Sequence, residues 1–406
     1  MSEATYIVGD VFDVMATLPD SSVDLVLTSP PFLALRSYLP ADHPDKGKEI
    51  GSEPTPAEFI DTLLALTAEW ERVLAPHGSI CVELGDTYAG GGNGPDARNA
   101  GADHESNAAE RWTGTRNGWP LDKSLCGIPH LYHLSLAYGR NLLTGAESPA
   151  GMWRVRNVVA WCRPNPPVGA LGDKYRPATS YITIATKARD RWFDLDAVRT
   201  APASTDRRQA AYNANGASGA FHDHSNDEIG RQQGPKPASG GVSNPAGAPP
   251  LDWWEVPTEP YKGSHYATWP RKLLERPIRA MCPSEVCRTC GEPRRRIVGE
   301  AEYVPSASYR GGVMVADAER TGDGVNQWKC EGGAQASVIR QAPTLGWTDC
   351  GHDDFRRGVV LDPFAGSGTT LAVATGLGRD AIGIDIDKRN LDLAYERVGM
   401  FLKETT

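Results

Sequence analysis

The fold is decided by the stretch Asp362-Pro363-Phe364-Ala365-Gly366-Ser367-Gly368-Thr369-Thr370. An apolar run at 358–361 precedes this turn, a helical pattern covers 369–377, and a second apolar run occupies 380–385. A strand, a Gly-rich turn, a helix and another strand of these lengths predict a βαβ unit, whose two strands lie parallel in one sheet. Glycines at 366 and 368 let the backbone approach a bound molecule closely at the N-terminus of the helix.

The turn differs from two common phosphate-binding patterns. No Lys follows the glycines at the spacing GxxxxGK[ST], and the stretch is one glycine short of GxGxxG. Asp385 ends the next predicted strand, where an acidic side chain can accept hydrogen bonds from both ribose hydroxyls of an adenosine group. From the glycines alone, a tight turn without any ligand stays open as an alternative.

Further strands and helices extend this unit towards the N-terminus. Apolar runs at 6–10 and 23–28 predict two strands, and the second leads directly into Ser29-Pro30-Pro31-Phe32. Thr55, Pro56 and Glu58 form a helix start with a capping box, and apolar residues follow at helical spacing up to residue 74. Strand-like runs at 79–84, 158–161 and 181–185 complete the pattern of an α/β protein with a mostly parallel sheet.

The Ser-Pro-Pro-Phe tetrad has a chemical meaning at the end of a strand. The exocyclic amine of a nucleobase is a poor nucleophile, because its lone pair is delocalised into the ring. Two acceptors that hold the amino hydrogens, Ser29 Oγ and the Pro30 carbonyl, can direct that lone pair at a sulfonium methyl group, and consecutive prolines keep both acceptors in place. Phe32 offers a face on which a flipped base can stack. Taken alone, a Pro-Pro turn is more often only structural.

Both stretches resemble motifs of the DNA amino-methyltransferases. Residues 362–369 resemble the D-P-F-x-G-x-G-T nucleoside motif, and residues 28–32 resemble T-S-P-P-Y/F. Residues 9–10 and 18–24 resemble the leader into that motif, residues 161–166 resemble W-x-K-P-N-P with Arg163 in place of the usual Lys, residues 192–194 resemble the following hairpin strand, and residues 265–270 resemble H-x-A-T-F-P. The tetrad precedes the Gly-rich turn by about 330 residues, the order of the circularly permuted β group.

This resemblance implies a class I, Rossmann-like methyltransferase that transfers a methyl group from S-adenosylmethionine to an amino group of a flipped base in double-stranded DNA. The implied catalytic residues are Ser29, Pro30, Pro31 and Phe32. The implied cofactor-binding residues are Asp10 beside the adenine, Asp385 at the ribose, and Thr268, Pro270, Asp362, Pro363, Phe364, Ala365, Gly366, Gly368 and Thr369. In the family, Ser at the first tetrad position is more usual for cytosine N4 and Asp for adenine N6, so Ser29 favours cytosine and leaves adenine open.

Other functions fit the sequence less well. Motif order argues against protein-glutamine methyltransferases, and no Pro-Cys dipeptide supplies the nucleophile of the carbon-5 cytosine enzymes. An RNA methyltransferase is a further alternative that the order disfavours. A catalytically silent DNA-binding or antirestriction protein on the same fold is the rival from a different class, although the tetrad and the turn are both intact.

Five of the eight cysteines lie between residues 282 and 350. In a reducing cytoplasm such a cluster indicates metal binding more than disulfides. Cys287 and Cys290, followed by a glycine, form half of a zinc knuckle, and Cys350 with His352 offers a second pair. These four residues predict a structural zinc site, with Cys330 as an alternative ligand, and free cysteines in an insertion are the other interpretation. The ion would hold together a small, Gly-rich module inserted before the cofactor strand.

We predict five segments along the chain. They are 1–199, the catalytic half of the core; 200–260, a flexible insertion with a possible role in target recognition; 261–281, a core helix near the cofactor; 282–357, the Cys-rich zinc module; and 358–406, the cofactor-binding half. The net charge of −9 argues against indiscriminate coating of nucleic acid. Basic residues between 271 and 296 are either a surface for DNA phosphates or a solvated helix face.

Composition and patterning also bear on location. No apolar run approaches the roughly 18 residues that span a bilayer, and the N-terminus lacks the pattern of a signal peptide. We therefore expect a cytoplasmic protein of bacterial or phage-encoded type without a membrane partner. A cognate restriction nuclease is a possible partner.

Overall fold

The apolar runs of the sequence form a nine-stranded sheet. A computed structural model describes residues 2–35, 37–89, 117–166, 173–199, 248–259, 269–299, 302–305, 338–341 and 343–405. In chain order, the strands of the sheet are β1 (Ala4–Val8), β2 (Val23–Thr28), β3 (Leu74–Leu84), β4 (Arg154–Cys162), β5 (Thr179–Thr186), β6 (Trp253–Glu255), β13 (Val359–Asp362), β14 (Asp380–Asp385) and β15 (Leu402–Thr405).

The strand order is β15-β1-β14-β13-β2-β3-β5-β4-β6. Of these nine described strands, β5 alone runs antiparallel to its neighbours, and the other pairs are parallel. Strand β13 pairs with β2, with Val360 opposite Leu25. The two motifs lie far apart in the chain, yet they follow adjacent parallel strands and meet at one edge of the sheet.

Six described α-helices accompany this sheet: α1 (Val11–Met15), α2 (Pro56–Val73), α3 (Ile128–Tyr138), α4 (Arg271–Met281), α5 (Thr369–Gly376) and α6 (Arg389–Val398). Thr55 caps α2 as predicted, since its hydroxyl accepts from the Glu58 backbone N–H at 3.2 Å. That hydroxyl also donates to the Glu58 carboxylate at 2.8 Å. The Glu58 side chain therefore completes the capping box by binding the side chain of Thr55. Among the described residues, no helix combines the length and apolar character needed to cross a membrane.

The end of α2 departs from the sequence expectation. The sequence Pro76-His77-Gly78 predicts the helix end at that point, whereas α2 ends at Val73 and β3 begins at Leu74. Pro76 disfavours helical backbone just before it, and Leu74 instead pairs with Val23 of β2. The register of β2 with β3 shifts between the Val23–Leu74 pair and the Leu25–Ser79 pair, so the residues of β3 between Leu74 and Ser79 have no paired position in β2.

A buried ionic cluster stabilises the start of β2. Asp24 in β2 is fully buried and accepts from Arg356 at 2.5 and 3.0 Å and from the Val359 backbone N–H at 2.7 Å, while His77 lies 2.9 Å away. Burial alone would raise the pKa of Asp24, but the hydrogen bonds from His77 and Arg356 outweigh it and lower that pKa. The cluster thus links β2 to the chain entering β13.

The described chain divides into two compact units. The first comprises 1–194, 251–295 and 348–406; besides the sheet it contains β7 (Glu285–Cys287) paired antiparallel with β12 (Phe355–Arg357). The second comprises 195–250 and 296–347 and contains β8 (Arg296–Val298) with β11 (Thr344–Trp347) and β9 (Glu302–Pro305) with β10 (Val338–Gln341). The five predicted segments stay predictions, and of the proposed insertion 200–260 only 248–259 lies within the described residues.

Candidate active site

A cavity of about 700 Å³ lies in the first unit, at the edge where β2, β3, β13 and β14 end. This volume falls in the range typical of small-molecule and cofactor sites. Its wall includes residues directly after three of those strands, Ser29, Gly85 and Pro363, together with Asp385 at the end of β14. The tetrad and the Gly-rich turn therefore face one common space.

All four residues of the tetrad line the cavity: Ser29, Pro30, Pro31 and Phe32. Gly51 packs against the tetrad, since a Cβ at Gly51 would lie 2.9 Å from the Phe32 carbonyl oxygen. Gly85 lies directly against the Phe32 ring, since a Cβ at Gly85 would come within 2.5 Å of Phe32 Cε2. This packing supports the ring in the position where a base could stack.

The Ser29 hydroxyl donates a 2.6 Å hydrogen bond to the Glu83 carboxylate. Glu83 lies near the end of β3, is almost fully buried and also lines the cavity. Burial raises its pKa, and hydrogen bonds from Ser180 and Ser29 with the positive charge of Arg163 offset that rise only in part. A hydroxyl has one hydrogen to donate and two lone pairs to accept, so Ser29 retains acceptor capacity towards the cavity.

None of the sequence motifs contains Glu83, so the sequence did not identify it as a site residue. One signal in the sequence could have found it: Glu83 is the only acidic residue in the predicted strand 79–84, and it sits near that strand's carboxyl end. Carboxyl ends of neighbouring parallel strands meet at the same edge of a sheet. A polar residue there is a candidate for the same site as the tetrad.

Arg163 brings a positive charge to the cavity wall. It follows β4, its guanidinium lies 5.1 Å from the ring centre of Trp161, and both side chains line the cavity. Arg163 Nη1 lies 3.5 Å from Ser180 Oγ, while its buried Nε has no hydrogen-bond partner among the described residues. The substitution of Arg for the family's Lys therefore places a branched donor at the site.

The Gly-rich turn is arranged around Asp385. One carboxylate oxygen accepts from the Gly366 backbone N–H at 2.8 Å, and the other accepts from the Asp387 backbone N–H at 2.8 Å and the Asn390 side-chain amide at 3.1 Å. Tyr6 donates to the Gly366 carbonyl at 2.8 Å. Burial raises the pKa of Asp385 to about 6, although these hydrogen bonds act in the opposite direction.

Asp362 lies beneath the turn and does not contact the cavity. Its carboxylate accepts from Thr28 at 2.7 Å, from Thr370 at 2.5 Å and from the Phe364 backbone N–H at 3.1 Å. Burial raises its pKa to about 6. Asp362 thus ties the last residue of β2 to the turn after β13, which fixes the tetrad relative to the turn.

The remaining predicted cofactor residues fall into three groups. Besides Asp385, six of them line the cavity: Asp10, Pro363, Phe364, Ala365, Gly366 and Thr369. Gly368 lies outside the lining; it caps α5 with a φ of +75°, and a Cβ there would lie 3.0 Å from Ala394 of α6. Pro270 caps α4 beside Trp269, which does line the cavity, and Thr268 lies outside the described residues.

The cavity wall suits an adenosyl cofactor. Asp385 offers an acceptor for ribose hydroxyls, and Asp10, whose carboxylate caps α1, lines the same wall. Ser367 Oγ is buried in the wall without a hydrogen-bond partner among the described residues. A buried hydroxyl with no partner costs free energy that a bound polar group would recover.

The four predicted metal ligands also come together, away from the cavity lining. The ligand atoms of Cys287, Cys290, Cys350 and His352 all lie within 4.8 Å of one another. Cys330, the alternative ligand, lies outside the described residues.

A mostly parallel sheet, with a nucleoside-type turn and a Ser-Pro-Pro-Phe tetrad facing one cavity, defines a class I methyltransferase. The family model described as DNA methylase, which covers the N6 and N4 enzymes, matches residues 23–286 and 354–396. The chain belongs to this family of DNA amino-methyltransferases. The fold and the family expected from the sequence are both confirmed.

The individual relatives have low sequence identity to this chain, but their alignments cover most of it. The chain is 26% identical over 277 residues to the type II methyltransferase M.Cfr9I of Citrobacter freundii, covering 68% of this chain and 71% of that protein. It is 23% identical over 392 residues to the type II methyltransferase M.SmaI of Serratia marcescens, covering 97% and 89%. The solved structure of the cytosine-N4-specific PvuII DNA methyltransferase aligns with a TM-score of 0.49 at 13% identity, covering 98% of this chain and 86% of that one.

Proposed function

We propose that this protein transfers the methyl group of S-adenosylmethionine to N4 of cytosine at a specific DNA sequence. The observation that carries the proposal is the Ser29–Glu83 hydrogen bond at the wall of a cavity shared with the Gly-rich turn. It leaves the Ser29 oxygen as an acceptor for one amino hydrogen of a base, beside the Pro30 carbonyl. S-adenosylmethionine, when bound, supplies a methyl group already activated by the positive sulfur.

The chain's own residues then position the amine and remove a proton. Ser29 Oγ and the Pro30 carbonyl hold the amino hydrogens, and Phe32 stacks on the base. When the amine nitrogen gains its new bond to carbon, it carries an extra proton. That proton passes to Ser29 Oγ while the hydrogen of Ser29 passes to Glu83, so the serine ends unchanged and Glu83 holds the proton.

Two features favour cytosine over adenine. Ser29 occupies the first tetrad position, where the resemblance associates Ser with cytosine. On the Watson–Crick edge that carries the amine, cytosine presents two acceptors, the ring nitrogen N3 and the carbonyl oxygen O2, whereas adenine presents the ring nitrogen N1 followed by a C–H. Arg163, a branched donor in the cavity wall whose buried Nε lacks a partner among the described residues, suits the edge with two acceptors.

We further propose that the enzyme belongs to the permuted β group and has a restriction nuclease as its partner. The tetrad precedes the cofactor turn in the chain, which supports the permuted β group. The named relatives are type II methyltransferases, and this supports a site-specific enzyme that acts on a flipped base in duplex DNA and is paired with a restriction nuclease.

The test is expression in a host that lacks DNA methylation, followed by nucleoside mass spectrometry and base-resolution sequencing of the host DNA. We expect N4-methylcytosine at one short sequence for the wild-type chain and none for Ser29→Ala. Ser135→Ala is the matched control, because Ser135 is buried in α3 outside the cavity lining. It should methylate like the wild type.

Three outcomes discriminate the alternatives. N6-methyladenine alone would reject cytosine and retain the amino-methyltransferase. Methylated RNA or protein with unmodified DNA would reject the substrate class. Absence of any methylated product from a folded chain that binds S-adenosylmethionine would favour the catalytically silent protein.

A further inference from the structure

We propose that Cys287, Cys290, Cys350 and His352 bind one zinc ion, which joins the two ends of the insertion 291–349 to the methyltransferase core. The site is separate from the cavity, since none of the four residues lines it. All four belong to the first compact unit, two before and two after the insertion.

The ligand atoms have the separations of a tetrahedral site. With metal–ligand bonds of about 2.3 Å to sulfur and 2.0–2.1 Å to nitrogen, tetrahedral angles place a sulfur and a nitrogen about 3.6 Å apart. His352 Nδ1 lies 3.6 Å from Cys287 Sγ and 3.5 Å from Cys350 Sγ. The atoms of all four residues lie within 4.8 Å of one another, so one small ion can reach them with slight side-chain adjustment.

The backbone at the first pair is shaped for metal binding. The Cys290 backbone N–H lies 3.5 Å from Cys287 Sγ, and the Gly291 N–H donates to the Cys287 carbonyl at 3.0 Å. Gly291 has a φ of +73°, which a side chain would disfavour. This knuckle directs both thiols to the same side, and the Cys290 N–H stabilises thiolate charge on Cys287.

The second pair is built by a comparable turn. Gly351, between Cys350 and His352, has a φ of +81°, and its N–H donates to the Asp349 carboxylate at 2.9 Å. The turn brings a thiol and an imidazole nitrogen to the same side after only two residues. Three thiols and an imidazole are a ligand set preferred by zinc, and four protein ligands leave no open position. The role of the ion is therefore structural.

The site lies where the insertion leaves and rejoins the core. Cys287 ends β7, which pairs with β12, and the Arg288 N–H donates to the Asp354 carbonyl at 2.9 Å. Trp192 of the core donates from its ring nitrogen to the Arg294 carbonyl at 3.0 Å. On the returning side, β12 contains Arg356, which pairs with buried Asp24 at the base of β2. A zinc ion would hold the two chain ends together at the point where the insertion leaves and rejoins the core.

Two arginines near the start of the insertion also connect the two chain ends. Arg294 donates to Glu285 and to the Thr348 carbonyl, at 2.8 and 2.9 Å. Arg288 forms an ion pair with Asp354 at 3.4 Å. These two arginines, which the sequence offered as phosphate contacts, thus already bond across the two chain ends that the metal would join.

The experiment measures metal in the full-length protein, produced with zinc supplied and purified under reducing conditions. We expect about one zinc per chain by plasma mass spectrometry. Replacement by cobalt should give the intense visible absorption of a tetrahedral ion with thiolate ligands. Cys290→Ser is the principal variant, because Cys290 is exposed and its substitution alters no core packing. It should lose most of the zinc while retaining S-adenosylmethionine binding.

Two further variants separate ligand loss from misfolding. His352→Cys restores a four-ligand set, so it should retain zinc and shift the cobalt spectrum towards that of four thiolates. Cys330→Ser removes a cysteine of the same insertion that the proposal does not use, so it should retain zinc and an unchanged spectrum.

Several results would overturn the proposal. Wild-type protein that binds S-adenosylmethionine yet carries no zinc, even after addition of the metal, would reject the site. Loss of zinc in Cys330→Ser would reject the ligand set. A disulfide between any two of the three cysteines in protein isolated from the reducing cytoplasm would replace the metal with a covalent link.

Discussion

Replacing Glu83 by Gln tests whether the buried carboxylate accepts the proton that leaves the amine. Gln has the same size, and its amide oxygen can still accept the 2.6 Å hydrogen bond from Ser29, but it cannot hold the transferred proton. If Glu83 only positions Ser29, the loss of charge from this bond costs about 1–1.5 kcal/mol, roughly a factor of 10 in rate.

A role as proton acceptor predicts a larger effect. General-base groups contribute about 10²–10⁴-fold, so we expect kcat to fall at least about 100-fold, with little change in KM for S-adenosylmethionine. Burial raises the pKa of Glu83, which moves the rise of wild-type kcat with increasing pH closer to neutrality. The Gln variant has no titrating group there, so its kcat should be flat across that range.

The assay is transfer of tritiated methyl to cognate DNA across pH, measured at steady state for kcat and KM and in single turnovers for the chemical step. Glu58→Gln is the matched control, because Glu58 is an exposed carboxylate at the start of α2; it should react at the wild-type rate. A Glu83→Gln enzyme that loses only a factor of about 10, with the acidic limb of its profile intact, would refute proton transfer to Glu83.

Three other predictions concern the cofactor turn and the base of the sheet. Gly368→Ala places a side chain on a residue with a φ of +75° and should cost about 1–3 kcal/mol of unfolding free energy in a urea titration, with weaker cofactor binding. Gly376→Ala is the control, because a Cβ at Gly376 meets open space, and it should cost nothing in the same titration. Arg356→Met leaves the buried Asp24 charge poorly compensated and should cost about 3–5 kcal/mol of unfolding free energy at pH 7. Because the native pKa of Asp24 is lowered, the stabilising contribution of this carboxylate is present at neutral pH and is lost as the pH falls through that native pKa. Equal losses of stability at acidic and neutral pH would contradict this account. The affinity for S-adenosylmethionine, measured by calorimetry, should decrease when the pH is lowered past about 6, because Asp385 then gains a proton and loses an acceptor. The Asp385→Asn variant should bind the cofactor weakly at every pH. A wild-type affinity independent of pH would rule out ribose binding by this carboxylate.

Much of the fold could be predicted because its signals are local. The apolar runs before and after the Gly-rich turn form β13 and β14, and the helix start at Thr55 lies where its capping residues indicate. Such patterns depend on neighbours within a few residues. The boundary between α2 and β3 was predicted less well, because pairing of Leu74 with Val23 competes with the helical spacing.

The candidate site was predictable in its motifs and less so in its connections. Ser29 to Phe32 and the Gly-rich turn were identified from the sequence, and both face the cavity. Glu83, which no motif indicated, belongs to it because β3 pairs with β2 and ends at the same edge of the sheet. Asp362 shows the reverse, because its motif position indicates the cofactor whereas its carboxylate binds Thr28 and Thr370 beneath the turn.

The sequence by itself determined the family, the βαβ turn, the tetrad and the four candidate metal ligands, because each is a short pattern of side chains with a chemical purpose. Only the tertiary structure decided what these patterns touch. Pairing of β2 with β13 brings residues more than 300 positions apart to one edge, burial places Glu83 beneath Ser29, and pairing of β7 with β12 brings Cys287 to His352. These contacts depend on strand pairing over long sequence separations, which no local pattern specifies.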